Sequence, residues 1–212
     1  MKPYYQDDSV TIYNADCRDV LPDMSEVDLV LTDPPYGIAH LWHGGSGSGW
    51  GNTRSENKTR NEWDSSPPEK ELLISICGIG KNNIIWGGNY FDLPASRGWL
   101  VWNKPERNFS LAEAELAWTD LDKVIRVFDT IRHIPNREHP TQKPVELMRW
   151  CINQVDTEAK TILDPFMGSG TTLRAAKDLG RKSIGIEISE KYCEVAAKTH
   201  ESDSYEFGSL RA

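Results

Sequence analysis

Thr161-Ile162-Leu163-Asp164-Pro165-Phe166-Met167-Gly168-Ser169-Gly170-Thr171-Thr172 runs from a short apolar segment into a glycine-rich turn and on into a helical pattern. The same alternation continues downstream. A helix over 171–179 is closed by Gly180, a strand spans 182–188, and a helix over 189–200 opens at Ser189. Strand–helix–strand–helix order implies a parallel sheet with right-handed crossovers, which is an α/β fold. The polar tail after Glu201 is expected to fray.

The glycines of this turn let a ligand approach the backbone closely, and the helix that follows offers unpaired N–H groups. Glu187 lies nineteen positions after Gly168, at the end of the next strand. An acid at that place suits ribose hydroxyls. A phosphate loop needs a Gly-Lys-Ser/Thr ending, which is absent, and a dinucleotide fingerprint needs a third glycine where Leu173 stands. Asp164, just before the glycines, would repel a pyrophosphate and attract an ammonium. The expected ligand is therefore an adenosine bearing an amino-acid tail, and S-adenosylmethionine fits.

A second stretch reads on its own terms. The apolar run Val27-Asp28-Leu29-Val30-Leu31 stops at Thr32-Asp33-Pro34-Pro35-Tyr36. Such a run, bounded by turn residues, is a buried strand. Two prolines donate no backbone hydrogen bond and hold φ near −65°, and each pushes the residue before it out of the helical region. The chain leaves the sheet as a stiff, extended hook with an acid at its base and a ring at its tip. A carboxylate, fixed carbonyls and an aromatic face suit a flat heterocycle carrying an amino group, such as a nucleobase. Alone, the segment is equally a strand-ending turn; its company decides.

The totals bound the rest. At 212 residues the chain is one domain with a sizeable core. It has no apolar run of about 18 residues for a membrane span, and its first residues lack the apolar core of an export signal. Cys17, Cys77, Cys151 and Cys193 show no paired spacing. This fits reduced thiols in a cytoplasmic protein and neither a zinc site nor a disulfide frame. The formal charge of −8 argues against nonspecific coating of nucleic acid. Yet Lys123, Arg126, Arg132, Arg137, Lys143 and Arg149 outnumber the acids around them, either as a local basic face or as an ordinary solvated one.

Elsewhere, 10–14 alternates as a strand and runs into Asp16 and Cys17 at its end. Residues 39–63 form a long polar, glycine-rich loop, read as a lid or a passive insert, whose Trp42, Trp50, Arg54, Lys58 and Arg60 suit nucleic acid. Ser66-Pro67-Pro68-Glu69 has capping-box spacing before a helix that buries Leu72, Leu73 and Ile76. Strands are expected at 83–86, 98–102, 115–118 and 123–128, with Lys104 facing the hook's cleft. A helix opened by Pro144 buries Leu147, Met148, Cys151, Ile152 and Val155.

Thr32-Asp33-Pro34-Pro35-Tyr36-Gly37, His139-Pro140-Thr141-Gln142-Lys143-Pro144 and the Asp164–Thr172 stretch resemble the signatures of the amino-group DNA methyltransferases. The hook precedes the cofactor loop, which is similar to the permuted beta class of that family. The resemblance covers about 10–200. It implies a class I, Rossmann-like methyltransferase fold: a seven-stranded, mostly parallel sheet with one antiparallel edge strand, in a single domain over 1–212. It implies S-adenosylmethionine as cofactor and DNA as partner. Asp33, Pro34, Pro35 and Tyr36 would be catalytic. Asp164, Phe166, Met167, Gly168, Ser169, Gly170, Thr171, Glu187 and Ile188 would hold the cofactor, with Asp33 beside it. Asp16 and Cys17 would line its adenine, and Thr141, Gln142 and Lys143 would clasp its methionine end.

The family usually carries a substantial target-recognition region, and here only 120–139 is free for that role. A short or loosely read site, or a second copy of the chain, would follow from so small a segment. The hook's leading Asp favours the N6 of adenine over the N4 of cytosine within the family. Related hooks, typically with Asn first, methylate RNA or protein amides, and a cofactor-bound module without turnover is the non-enzymatic alternative. No metal is implied.

Overall fold

The computed structural model describes residues 1–38, 66–107, 112–131, 142–155 and 159–208, with backbone alone from 202. Its strands are β1 (Tyr5–Gln6), β2 (Val10–Asn14), β3 (Leu29–Thr32), β4 (Asn83–Trp86), β5 (Gly98–Asn103), β6 (Ala114–Thr119), β7 (Arg126–Asp129), β8 (Thr161–Asp164) and β9 (Lys182–Glu187). Its α-helices are α1 (Cys17–Val20), α2 (Lys70–Ile79), α3 (Val145–Ile152), α4 (Thr171–Asp178) and α5 (Glu190–Gly208). All nine strands join one sheet in the order β1-β2-β9-β8-β3-β4-β6-β5-β7.

β2, β9, β8, β3 and β4 are mutually parallel, so their carboxyl ends share one rim. From β8 the chain crosses through α4 to β9 on one side, and from β3 through α2 to β4 on the other. The direction of crossing therefore reverses between the neighbours β8 and β3. In open parallel sheets the crevice above such a switch point is where ligands bind.

Strand periodicity sorts the core into layers. Leu29 and Leu31 of β3, with Ile162 and Ile84 from its neighbours, pack among Leu147, Cys151 and Ala175 of α3 and α4. Val30, Leu163 and Ile186 face the other way, toward Cys17 of α1 and Ile76 of α2. Val10, Ile12, Met167 and Leu173 close over Cys193 and Ala196 of α5. Leu31 is wholly buried, and its truncation to alanine is expected to cost about 2–5 kcal/mol.

Several expectations need adjustment. Among the described residues the sheet has nine strands rather than seven. The antiparallel edge strand is the two-residue β1, and a second antiparallel strand, β6, lies inside the sheet between β4 and β5. β4 is buried along its whole length, so it needs a partner on that side, and the returning arm of the β5–β6 hairpin supplies one. α2 starts at Lys70 with Glu69 extended and no capping side chain, so the Ser66 capping box does not form. Pro67 and Pro68 force the residues before them out of the helical region, which delays the helix. α5 continues past His200 to Gly208, since nothing from Glu201 to Phe207 breaks a helix. The loop 39–63, Thr141 and the 132–139 part of the proposed recognition segment lie outside the described residues; its 126–129 part is β7.

Candidate active site

The hook leaves β3 at Thr32, whose hydroxyl donates to Asp164 Oδ1 at 2.8 Å. Asp33 follows, and both of its carboxylate oxygens are engaged. Lys143 Nζ lies 2.5 Å from Oδ2, and the Tyr36 hydroxyl donates to Oδ1 at 2.6 Å. The Lys143 ammonium also sits 3.3 Å from Glu115 Oε2 and 3.2 Å from the Tyr36 hydroxyl, so each of its three hydrogens has an acceptor. Lys104, only 5% exposed, pairs with the other oxygen of Glu115. Asp33, Lys143, Glu115 and Lys104 thus form a charge-alternating chain running from the hook to β5.

The energetics follow from burial. Desolvation pushes the Asp33 carboxyl up; Lys143 draws it down, Glu115 pushes it up again, and the net direction is upward. For Glu115 the same burial is outweighed by Lys143 and Lys104, which hold it below the usual carboxylate range. Burial lowers the Lys143 ammonium, but Asp33 and Glu115 more than compensate and it rises. The phenol of Tyr36 is raised well above its ordinary value, first by burial and then by Asp33, so it stays a donor.

Tyr36 is held from several sides. Its ring stacks on Tyr90 at 5.0 Å between centroids and 21° between planes, with Phe91 edge-on at 6.2 Å. Gly87, at φ +69°, presses so close that a Cβ there would stand 2.1 Å from the ring. Only glycine combines that conformation with that contact.

The second loop meets the hook at the switch point. Asp164, at the end of β8, is 3% exposed. It accepts from Thr32 and also from Thr172 Oγ1 at 2.6 Å and Phe166 N at 3.1 Å. Burial raises its carboxyl to about 6 even against these donors. Three of its acceptor sites go to internal donors, so it braces the loop while it lines the cleft. Glu187, at the tip of β9, accepts from Gly168 N at 3.1 Å and Ser189 N at 2.8 Å. A carboxylate has about four lone-pair sites, and the Ile188 N–H also bonds to it, which leaves capacity for about one ligand hydroxyl. Burial raises Glu187, opposed by those backbone donors. Gly170 caps α4 at φ +84°, against Ala196.

One cleft of about 290 Å³ opens along this rim. Its wall includes Asp33, Pro35, Gln142 and Lys143 from the hook side, and Asp164, Phe166, Met167, Gly168, Ser169 and Thr171 from the loop. Asp16, Cys17, Glu187 and Ile188 complete the expected set. Asp16 caps α1 and pairs with Arg18 at 2.5 Å, while burial pushes the Cys17 thiol up to about 11. Pro34, Tyr36 and Gly170 do not form part of the wall. Tyr192, Met148 and Ser189 line it without having been expected; Tyr192 sits in the first turns of α5 and looks in sequence like any surface helical residue. Lys104 is buried behind Glu115 instead of facing the cleft. Ile188, 72% exposed at the strand tip, presents an apolar surface where a flat ring can rest.

These features fit an adenosine with a charged tail. Glu187 has free acceptor capacity, an aliphatic side chain stands beside it, and the glycine turn brings backbone close. Among the described residues no cluster of side chains has metal-ligating geometry, and no helix is long and apolar enough to cross a membrane.

A cofactor loop and an acid-led hook across one switch point define a nucleotide-type α/β transferase site. A family model for N6 and N4 methyltransferases, described as DNA methylase, matches residues 87–198, and the chain belongs to that family, the amino DNA methyltransferases of the beta class. The type II methyltransferase M2.DpnII of Streptococcus pneumoniae is 27% identical over an alignment covering 96% of this chain and 94% of that protein. The crystal structure of an M1.HpyAVI–SAM complex superposes with a TM-score of 0.58 at 23% identity, over 89% of this chain and 98% of the other. The PvuII cytosine-N4-specific DNA methyltransferase does so with a TM-score of 0.60 at 17% identity, over 92% and 88%. These two structures share the fold.

Proposed function

We propose that this DNA methyltransferase transfers a methyl group from S-adenosylmethionine to the exocyclic N6 of adenine, on a base swung out of the duplex. The observation that carries the reading is the shared cleft: Asp33 and the Gly168–Glu187 pair wall one cavity across the switch point. A stacked base is sterically blocked from such a cavity, hence the flipping. When bound, S-adenosylmethionine would supply an electrophilic sulfonium methyl with a neutral thioether as the leaving group.

The residues of the chain supply the rest. An exocyclic amine is a poor nucleophile because its lone pair is delocalised into the ring. Asp33 and the Pro34 carbonyl each accept one N–H, turning the nitrogen toward tetrahedral geometry. Asp33, its carboxyl raised by burial, then takes the proton that the methylated nitrogen sheds and passes it to water. Tyr36, braced by Tyr90, orients Asp33. Lys143 serves the hook rather than the methionine end, because its hydrogens already point to Asp33, Glu115 and Tyr36. Gln142 and Thr141 remain for the methionine end, and Glu187 for the ribose. Orientation and fixed dipoles provide most of the acceleration.

The preference for adenine rests on the hook's leading acid. The protein is expected to act in the cytoplasm, and a homodimer would enlarge the surface available to DNA. The test is nucleoside analysis of DNA treated with the purified chain and methyl-labelled cofactor. Label in N6-methyladenine supports the reading; label in N4-methylcytosine, or only in RNA or protein, overturns it.

A further inference from the structure

We propose that Glu115 is a positioning residue for the hook: by drawing the Lys143 ammonium toward a second carboxylate, it keeps Asp33 available as acceptor for the target amine. This rests on the methyltransferase reading above.

A buried lysine 2.5 Å from Asp33 would, alone, form a one-to-one pair with it. The ammonium would then compete with the incoming amine for the same oxygens and quench the basicity that the departing proton requires. Glu115 changes that balance. It stands 3.3 Å from the same ammonium, and Lys104 anchors its other oxygen. The side chains of the two lysines are 4% and 7% exposed, whereas those of Asp33 and Glu115 are 21% and 26% exposed. Asp33 is therefore the member of the chain that both lines the cleft and reaches solvent. Neither Glu115 nor Lys104 lines the cleft, so each acts on Asp33 through Lys143 or through space.

The placement is rigid. Glu115 pairs with Trp102 in the β5–β6 ladder, Lys104 N bonds Glu113 O at 2.9 Å, and the Lys104 ammonium lies 4.3 Å over the Trp102 ring. The groups that face Asp33 are Lys143 from the start of α3, Tyr36 from the hook, Glu115 from β6 and Asp164 from β8. Glu115 pushes the Asp33 carboxyl up and Lys143 pulls it down. Removing the Glu115 charge leaves burial alone to oppose that downward pull.

The experiment follows the Asp33 carboxyl by ¹³C NMR across pH in the full chain, alongside the pH dependence of kcat and cofactor affinity by calorimetry. Glu115→Gln is expected to lower the Asp33 midpoint by about one pH unit. The acid limb of kcat should move the same way, and kcat should fall by roughly tenfold or more, with cofactor Kd unchanged. Glu115→Asp should recover part of the loss. Lys104→Met, which removes a positive charge behind Glu115, should move the midpoint upward, an opposite sign that a merely structural role does not produce; it also serves if Glu115→Gln fails to fold. Unchanged midpoints in the folded variants overturn the proposal. A wild-type chain that methylates no DNA, yet whose Asp33 midpoint follows Glu115, overturns the methyltransferase reading and leaves the coupling supported.

Discussion

Thr32 donates its hydroxyl to Asp164 at 2.8 Å, joining residues 132 positions apart in the chain and next to each other at the switch point. One side of this bond is the base of the hook and the other is the base of the cofactor loop. The bond ties the bases of the two loops together. Thr32→Val keeps the shape and removes the donor, leaving a buried carboxylate with one partner fewer. The expected loss of stability is about 1–3 kcal/mol, measured by chemical denaturation, with weaker cofactor binding in the same protein.

Asp164 also makes stability depend on pH. Its carboxyl rises from 3.8 to about 6 on folding, so between those values the folded chain holds a proton that the unfolded chain has released. The group's contribution is therefore fully present below pH 3.8 and is lost as pH rises through about 6. Asp164→Asn removes this dependence. Relative to the variant, the wild type should lose up to about 3 kcal/mol between those pH values, as read from parallel denaturation series.

Asp33→Asn should abolish most turnover while sparing the cofactor. The amide cannot take the amine's proton, and its NH₂ faces Lys143 with a donor where an acceptor stood. Turnover is expected to fall by at least about a hundredfold, with cofactor affinity by calorimetry within about twofold of wild type.

Glu187→Gln tests the ribose contact. Glutamine has one side-chain acceptor, so it cannot satisfy Gly168 N and Ser189 N from two oxygens and still receive a ribose hydroxyl. Cofactor Kd should rise by about tenfold or more, equivalent to about 1.4 kcal/mol, and kcat at saturating cofactor should change much less. An unchanged Kd would remove Glu187 from the site.

The parts of this arrangement that sequence made legible are those whose chemistry is local. The Asp33-Pro34-Pro35 hook declares itself by missing N–H groups, the Gly168–Gly170 turn by its glycines, and Glu187 by its distance from them. Glu115 carries no such mark, since it opens an ordinary strand pattern. Its role arises only when the β5–β6 register sets it against Trp102 and close to Lys104 and Lys143. Tyr90 likewise carries no mark until the chain folds it onto Tyr36. β1 was not legible because two residues show no period, and β6 reads as a strand whose place inside the sheet is decided by its hairpin.

The spatial claim beneath all of this is that the methyl donor lies against the hook. The direct measurement is a nuclear Overhauser experiment on the full chain with ¹³C-methyl-labelled S-adenosylmethionine bound. The account predicts cross-peaks from the sulfonium methyl to Pro35, and from the adenine protons to Ile188. A methyl in contact with solvent or with α5 alone, and silent toward the hook, would contradict it.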